Sequence, residues 1–113
     1  MHELSITQNL LDLAVRHGEA AGARRITVLN LVIGELSSVV DDSVQFYWDF
    51  VSRGTLAEGA ELRFERVPAR LRCQDCGHEF PPNEDYACPA CHSQHIAVSR
   101  GEEFYLQSIE VED

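Results

Sequence analysis

The stretch that decides the fold runs from Cys73 to His92 and reads CQDCGHEFPPNEDYACPACH. It contains all four cysteines of the chain, arranged as two Cys-x-x-Cys knuckles that are separated by eleven residues. Two such turns can place four thiolates tetrahedrally around one Zn²⁺. The separation is shorter than the roughly 15 to 20 residues of the common pattern, but the tip of a two-stranded ribbon tolerates it. We therefore predict one structural zinc ion held by the four cysteines Cys73, Cys76, Cys88 and Cys91.

Two other interpretations of these cysteines compete with zinc. Two local disulfides, or free thiols, are disfavoured by a reducing cytosol, and they would leave a Pro-rich segment without anything that ties its ends together. Cys88-Pro-Ala-Cys91-His92 also matches the Cys-x-x-Cys-His string of c-type haem attachment. Haem attachment would need an export signal and a second axial ligand, and it would leave the first cysteine pair without a role.

The segment around the knuckles differs in composition from the rest of the chain. Its apolar density falls while Cys, His, Pro and Gly accumulate, so the segment cannot pack a hydrophobic core and must be ordered by something else. Metal is the obvious candidate. Pro68 marks the change of character. We therefore expect a zinc-ribbon lobe at 68–101, inserted into a module formed by 1–67 and completed by a strand within 102–113.

Outside the lobe, hydrophobic periodicity predicts two helices and three strands. The expected fold is α+β, with the two helices on one face of a three-stranded, mainly antiparallel sheet. The predicted elements are a helix at about 5–21, a strand at 26–33, a helix from Asp41 to Gly54, a strand around 61–65 and a strand at 104–111.

Three local signals refine this prediction. Ser5-Ile-Thr-Gln8 is typical of a capping box at the start of the first helix. Asp41 and Asp42 are interpreted as residues that cap the second helix rather than as metal ligands. The apolar phase of the last strand changes between Leu106 and Ile109, which predicts a β-bulge.

Length, composition and charge exclude several function classes. The chain has 113 residues and a formal net charge of −10, with nine basic residues that are all Arg, so its field repels phosphate backbones. We expect no nucleic-acid partner. No apolar stretch approaches the roughly 18 to 20 residues that span a bilayer, and there is no secretory signal, so we expect a cytoplasmic protein. Without a phosphate-cradling glycine loop, and with four thiolates closing the zinc shell, we expect no enzyme activity.

The amino terminus carries a second metal-binding pattern. Bulky His2 should keep Met1 in place, so that the α-amine, the His2 imidazole and neighbouring backbone nitrogens lie within one short segment. Nitrogen donors in a near-planar array suit Ni²⁺ or Cu²⁺ better than Zn²⁺. Taken alone, however, a histidine at position 2 is more often a solvated side chain.

The whole chain resembles the HypA/HybF family of hydrogenase maturation nickel metallochaperones. The resemblance rests on Met1-His2-Glu3, on Ile33-Gly34-Glu35-Leu36, on the segment RGTLAEG at 53–59, and on Cys73-x-x-Cys76 with Cys88-Pro-x-Cys91-His92. It implies delivery of Ni²⁺ to the [NiFe]-hydrogenase large subunit precursor together with the GTPase HypB, and service to urease maturation proteins in some bacteria. It also implies a monomer or weak homodimer.

The resemblance further implies which residues bind metal. The nickel ligands would be the Met1 amine, the imidazole and backbone of His2, and the backbone amide of Glu3, whose carboxylate would tune the site or bind partners. Neighbouring histidines would exchange with zinc cysteines when nickel or pH changes, and the matching residues are His78 and His92. Their competing interpretation is as loop side chains or hydrogen-bond donors to the thiolates. The competing function is a zinc-ribbon adaptor without a nickel role.

Overall fold

The computed structural model describes residues 3–113 and contains two helices and two three-stranded sheets. The predicted α+β class, with two helices, a three-stranded sheet and a separate cysteine lobe, is confirmed. Neither helix has the length and apolar character that crossing a membrane requires. In chain order the elements are α1 (Glu3–Ala20), β1 (Arg25–Gly34), α2 (Asp41–Val51), β2 (Glu61–Val67), β3 (Arg70–Cys73), β4 (Glu79–Phe80), β5 (Ile96–Arg100) and β6 (Phe104–Glu112).

The main sheet has the strand order β2-β1-β6 and is mixed rather than mainly antiparallel. β1 pairs with β2 in parallel, from Val28 opposite Glu61 to Gly34 opposite Val67, and with β6 antiparallel. Parallel neighbours need a long crossover between them. The segment between β1 and β2 contains α2, which provides that crossover. The prediction of the sheet's direction was therefore wrong for one of its two strand pairs.

The predicted bulge lies in β6. Asn30 of β1 is opposite Ser108, whereas the next residue, Leu31, is opposite Leu106, so Gln107 is the extra residue. A bulge of this kind shifts the inward-facing phase of a strand by one residue. This shift allows both Leu106 and Ile109 to pack against the same core, as the apolar pattern indicated.

The core of this module lies between the central strand and the two helices. Trp48 of α2 is 1% exposed, and Ala14 of α1 is fully buried. Burying such side chains is the main favourable term in folding, at roughly 25 cal/mol per Å² of apolar surface. The buried residues that the two helices and β1 contribute to the core are Leu10, Leu11, Ala14, Ile26, Leu29, Leu31, Ile33, Val44 and Trp48.

The helix starts differ from those predicted. Because α1 already includes Glu3, Ser5 lies inside the helix and the predicted capping box is wrong. The buried Thr7 hydroxyl instead donates to the Glu3 carbonyl at 2.6 Å. In α2 the N-cap residue is Val40, without a side-chain cap. Asp41 lies in the first turn, where its carboxylate accepts a hydrogen bond from the Asp42 N–H at 3.0 Å. Its negative charge there interacts favourably with the positive end of the helix dipole.

The second sheet, with the order β4-β3-β5, joins the main sheet through a tight backbone junction at Gly34. The Leu36 N–H donates to the Gly101 carbonyl at 2.6 Å, and the Glu35 carboxylate accepts the Ala69 N–H at 3.1 Å. A Cβ at Gly34 would lie 2.0 Å from the Gly101 carbonyl oxygen. The motif at 33–36 therefore holds both connections between the sheets.

The junction gives the molecule an elongated shape. Its principal extents are 55 × 25 × 16 Å and its radius of gyration is 18.0 Å. A compact domain of this length would have a radius of gyration of about 13 Å. The two sheets therefore lie end to end and share little surface beyond the junction.

We predict that Gly34→Ala destabilises the protein strongly, because the added methyl group meets backbone atoms that cannot rotate away. The expected cost is about 3 kcal/mol, the upper end for overpacking, and thermal unfolding followed by circular dichroism should show a fall in Tm of about 10 °C. Gly22→Ala is the matched control. Gly22 has φ +69 but nothing within 4 Å of an added Cβ, so its cost should be only about 1 to 2 kcal/mol. Equal losses for both variants would contradict the close contact.

Candidate metal centre

The second sheet and its loops bring the four cysteines together. Cys73 ends β3, Cys76 follows in the next turn, and Cys88 and Cys91 lie in the connection between β4 and β5. The Sγ atoms of Cys73 and Cys91 are 3.5 Å apart, and those of Cys76 and Cys88 are 3.6 Å apart. All four Sγ atoms lie within 4.8 Å of one another. The two knuckles therefore converge on one point.

The two knuckles have the same backbone hydrogen bonds. In the first, the Cys73 N–H donates to the His78 carbonyl at 2.9 Å and the Gly77 N–H donates to the Cys73 carbonyl at 2.9 Å. In the second, the Cys88 N–H donates to the Ser93 carbonyl at 2.8 Å, and the His92 N–H donates to the Cys88 carbonyl at 2.8 Å. The two knuckles therefore have the same turn geometry.

The separation of the sulfur atoms fits a structural zinc ion. Zn–S bonds of about 2.3 Å in a regular tetrahedron place the sulfur atoms about 3.8 Å apart. The separations of 3.5 and 3.6 Å in two of the pairs, and the 4.8 Å limit for all pairs, bracket this value. Four sulfur donors leave no open coordination position for a substrate. The cluster therefore fits a closed structural site rather than a catalytic one.

Without a cation, three of the thiols, those of Cys73, Cys76 and Cys91, do not ionise together at neutral pH. Hydrogen bonds from the backbone N–H groups of Cys76 and Asp75 lower the pKa of Cys73 to about 6, against the effect of burial. The backbone N–H of Ser93 lowers the pKa of Cys91, but the neighbouring thiol of Cys73 and burial outweigh it and raise the pKa to about 12. The pKa of Cys76 is also raised, since the thiol of Cys88 and burial outweigh the N–H of His78. A divalent cation removes this conflict by stabilising every thiolate.

Little apolar material supports the cysteine lobe. Its buried cluster consists of Leu71, Phe80 and the cysteines Cys73 and Cys88, with Ile96 packed against it. So small a cluster cannot offset the conformational entropy of ordering some thirty residues, at roughly 1 to 2 kcal/mol for each backbone unit. This agrees with the low apolar density of the segment and favours order through metal binding.

The structure does not bring His78 or His92 into the sulfur cluster. Within residues 3–113, the one group of His, Cys, Asp and Glu side chains close enough to share a metal ion contains only the four cysteines. His78 stacks on Phe80, with 5.9 Å between the ring centres. His92 has φ +63 and occupies the position that Gly77 occupies in the first knuckle, at φ +79. A histidine there adopts a left-handed conformation that costs about 1 to 2 kcal/mol relative to glycine.

Sequence reasoning missed a contact that links the two knuckles. The Asp75 carboxylate accepts a hydrogen bond from the Ser93 hydroxyl, and it lies 3.3 Å from Nδ1 of His95. These contacts lower the pKa of Asp75, with the Ser93 hydroxyl as the largest cause. The only signal in the sequence is that Asp75 lies between two metal-ligand candidates, which does not indicate its partners.

Two of the three predicted nickel-site residues, Met1 and His2, lie outside the described residues. The third, Glu3, is the first residue of α1 and is partly buried. Its carbonyl oxygen accepts the hydrogen bond from Thr7, so the backbone that follows the predicted chelating segment belongs to a well-anchored helix.

Comparisons with known proteins agree with this architecture. The family described as "Hydrogenase/urease nickel incorporation, metallochaperone, hypA" matches residues 1–111. A hydrogenase maturation factor HypA of Dehalococcoides mccartyi is 49% identical over 100% of this chain and 96% of that protein. One of Caldanaerobacter subterraneus is 45% identical over 99% of this chain and 100% of that protein.

Two solved structures have the same fold. The nickel metallochaperone HypA from Helicobacter pylori superposes with a TM-score of 0.69 at 30% identity, covering 98% of this chain and 97% of that one. A second HypA structure gives a TM-score of 0.79 at 28% identity, covering 98% and 96%. The family predicted from the motifs is confirmed: this chain belongs to the HypA family of nickel metallochaperones for hydrogenase and urease, which are maturation factors rather than enzymes.

Proposed function

We propose that this chain binds Ni²⁺ at its amino terminus and delivers it during [NiFe]-hydrogenase maturation. The observation that carries the proposal is the family match, which begins at residue 1 and so includes Met1-His2-Glu3. The similar curated proteins are named as hydrogenase maturation factors, which favours hydrogenase over urease as the enzyme served. The zinc-ribbon adaptor without a nickel role has no comparable support.

The proposed nickel ligands are the Met1 amine, the imidazole and backbone of His2, and the backbone amide of Glu3. The start of α1 supports this set. The first four N–H groups of a helix have no partner within the helix, so the Glu3 nitrogen can ligate a metal without breaking a helical hydrogen bond. The Glu3 carboxylate, which these ligands do not include, remains available to tune the site or to contact a partner.

We further propose a division of labour between two lobes. Residues 1–67, completed by 102–113, carry nickel, and 68–101 form a lobe that zinc holds together through Cys73, Cys76, Cys88 and Cys91. The proposed partners are the GTPase HypB and the hydrogenase large subunit precursor, with urease maturation proteins as a further class. The proposed location is the cytoplasm, whose reducing conditions keep the four thiols available to metal.

Nickel binding should depend on His2 and on a free α-amine. We expect His2→Ala to abolish specific nickel binding while leaving zinc and fold intact, because it removes the one side-chain donor. One residue added before Met1 converts the amine into an amide and should do nearly the same. Glu3→Gln retains the backbone nitrogen and should bind nickel normally. Calorimetric titration of protein with its natural amino terminus measures all three.

His17→Ala is the control for these variants, because His17 is an exposed histidine near the other end of α1. It should bind nickel as the unmodified chain does. Unchanged nickel affinity after both His2→Ala and the extension would exclude the amino-terminal site and leave only the zinc lobe.

Zinc affinity should rise with pH. Because the pKa values of Cys76 and Cys91 are raised in the metal-free protein, zinc must displace both protons at neutral pH. For each proton that zinc displaces, the zinc affinity rises about tenfold per pH unit, so these two protons together give a rise of about a hundredfold per pH unit. Cys73 is ionised above about pH 6, so its proton adds to this dependence only below that value. Competition with a chromophoric chelator should therefore show a steeper slope below about pH 6.

Substitution of the cysteines tests which residues bind the zinc. Cys73→Ser should lose zinc and the order of the lobe, whereas Asp85→Asn, in the same loop region, should retain both. Two-dimensional NMR of the two variants distinguishes them. Full zinc occupancy in a variant that lacks two of the four cysteines would refute the ligand set.

His92 allows a clean test of the proposed zinc switch. Glycine keeps the left-handed turn that Gly77 makes in the first knuckle, so His92→Gly removes the imidazole without straining the fold. We expect zinc to stay bound at neutral pH and the nickel-dependent or pH-dependent change in zinc coordination to disappear. X-ray absorption at the zinc edge measures this change. If the unmodified protein keeps four sulfur ligands on zinc under every condition, His92 is not a zinc ligand and its role is confined to the turn.

A further inference from the structure

The outward face of the second sheet carries arginine side chains. In β3, Leu71 and Cys73 are buried and belong to the apolar cluster of the lobe. Arg70 and Arg72 alternate with them and so lie on the opposite side of the strand. Arg70 is directly opposite Arg100 of β5, and residues that are opposite each other in an antiparallel pair lie on the same side of the sheet. Three guanidinium groups therefore share one face, which we call the arginine face.

Little negative charge compensates the arginine face. Glu79 of β4 is opposite Arg72, and its carboxylate lies 3.6 Å from Nε of Arg70, which is longer than a hydrogen bond. Arg72 and Arg100 are exposed. Within residues 3–113, neither of these two arginines takes part in an ion pair. One carboxylate therefore serves three cations.

The position of Arg100 opposite Arg70 is unfavourable for folding alone, because like charges directly opposite each other destabilise an antiparallel pair. In the main sheet, by contrast, Arg63 is flanked by two carboxylates. Glu102 and Glu103 follow Arg100 in the sequence, but among the described residues neither forms an ion pair with it. An anion from outside the chain that bridges Arg70 and Arg100 would offset the repulsion between them.

We propose that the arginine face binds an acidic segment of a partner protein, in an extended conformation with carboxylates at alternate positions. Side chains on one side of an extended segment repeat about every 7 Å, which is also the spacing between Arg70 and Arg72 in β3. One carboxylate can bridge Arg70 and Arg100, and the next can pair with Arg72. Guanidinium groups bind carboxylates through two parallel hydrogen bonds, so the chemistry matches as well as the spacing.

The distribution of charge favours a short acidic segment over a long polyanion. The lobe at 68–101 contains three of the nine arginines and four of the nineteen acidic residues, and the main module contains the other fifteen acidic residues. An acidic partner is therefore attracted at the arginine face and repelled by the rest of the molecule. A nucleic acid would extend past the face along this repulsive surface. The binding is independent of the proposed nickel function, because no arginine of the face is a predicted metal ligand.

The first test is an NMR titration of the zinc-loaded protein with a synthetic peptide of alternating Glu and Gly, in about 0.15 M salt. We expect shifts of the backbone amides of β3 and β5, with a Kd of about 1 mM. A peptide of alternating Gln and Gly is the uncharged control and should cause no shift. A single-stranded DNA of equal charge should bind more weakly. Unshifted β3 and β5 amides at about 5 mM peptide, or tighter binding of the DNA, would overturn the proposal.

Two substitutions with opposite expected effects distinguish a binding role from a structural one. Arg100→Gln should weaken peptide binding about fivefold and should not lower the Tm, because it removes a repulsion between like charges. Glu79→Gln removes the competing carboxylate and should strengthen binding. Arg63→Gln makes the same change of charge outside the face, so it should bind the peptide as the unmodified chain does. A lowered Tm of the Arg100→Gln variant, or an equal loss of binding in the Arg63→Gln variant, would show that the arginine face is not a binding surface.

Discussion

The contact between Gly34 and Gly101 is the constraint on which the rest of the molecule depends. The backbone of β1 approaches the second connection between the sheets so closely that no side chain fits between them. The adjacent Glu35 carboxylate also holds the first connection through the Ala69 N–H. One short segment therefore sets the direction in which the cysteine lobe leaves the main sheet.

The two lobes that meet there are stabilised by different physical means. The main module relies on burial of apolar side chains such as Trp48. The cysteine lobe instead has a small apolar cluster, and its thiols of Cys73, Cys76 and Cys91 do not ionise together without a cation. A divalent cation would stabilise the thiolates together, so we expect metal binding and ordering of the lobe to be coupled. We expect the folding of the helices of the main module not to depend on metal.

Much of this arrangement could be predicted from local patterns. Periodicity identified both helices and the bulge in β6, and the spacing of the cysteines identified the metal centre. The parallel pairing of β1 and β2 was missed, although the helix that was predicted between these two strands is the crossover that parallel neighbours need. The Ser5 capping box failed because the helix already includes Glu3, and the left-handed turn at His92 has no signature without glycine. The link from Asp75 to Ser93 and His95 is tertiary and leaves no local trace.

The position of β6 has a consequence for biosynthesis. This strand is the last element of the chain, yet it pairs along β1, the central strand of the main sheet. Contacts between residues so distant in sequence form late, because the intervening chain must first be brought together. During translation, β1 therefore waits with one edge unpaired until the residues of β6 leave the ribosome. The sheet beneath α1 cannot be completed before β6 has been made, although α1, β1, α2 and β2 are all synthesised earlier.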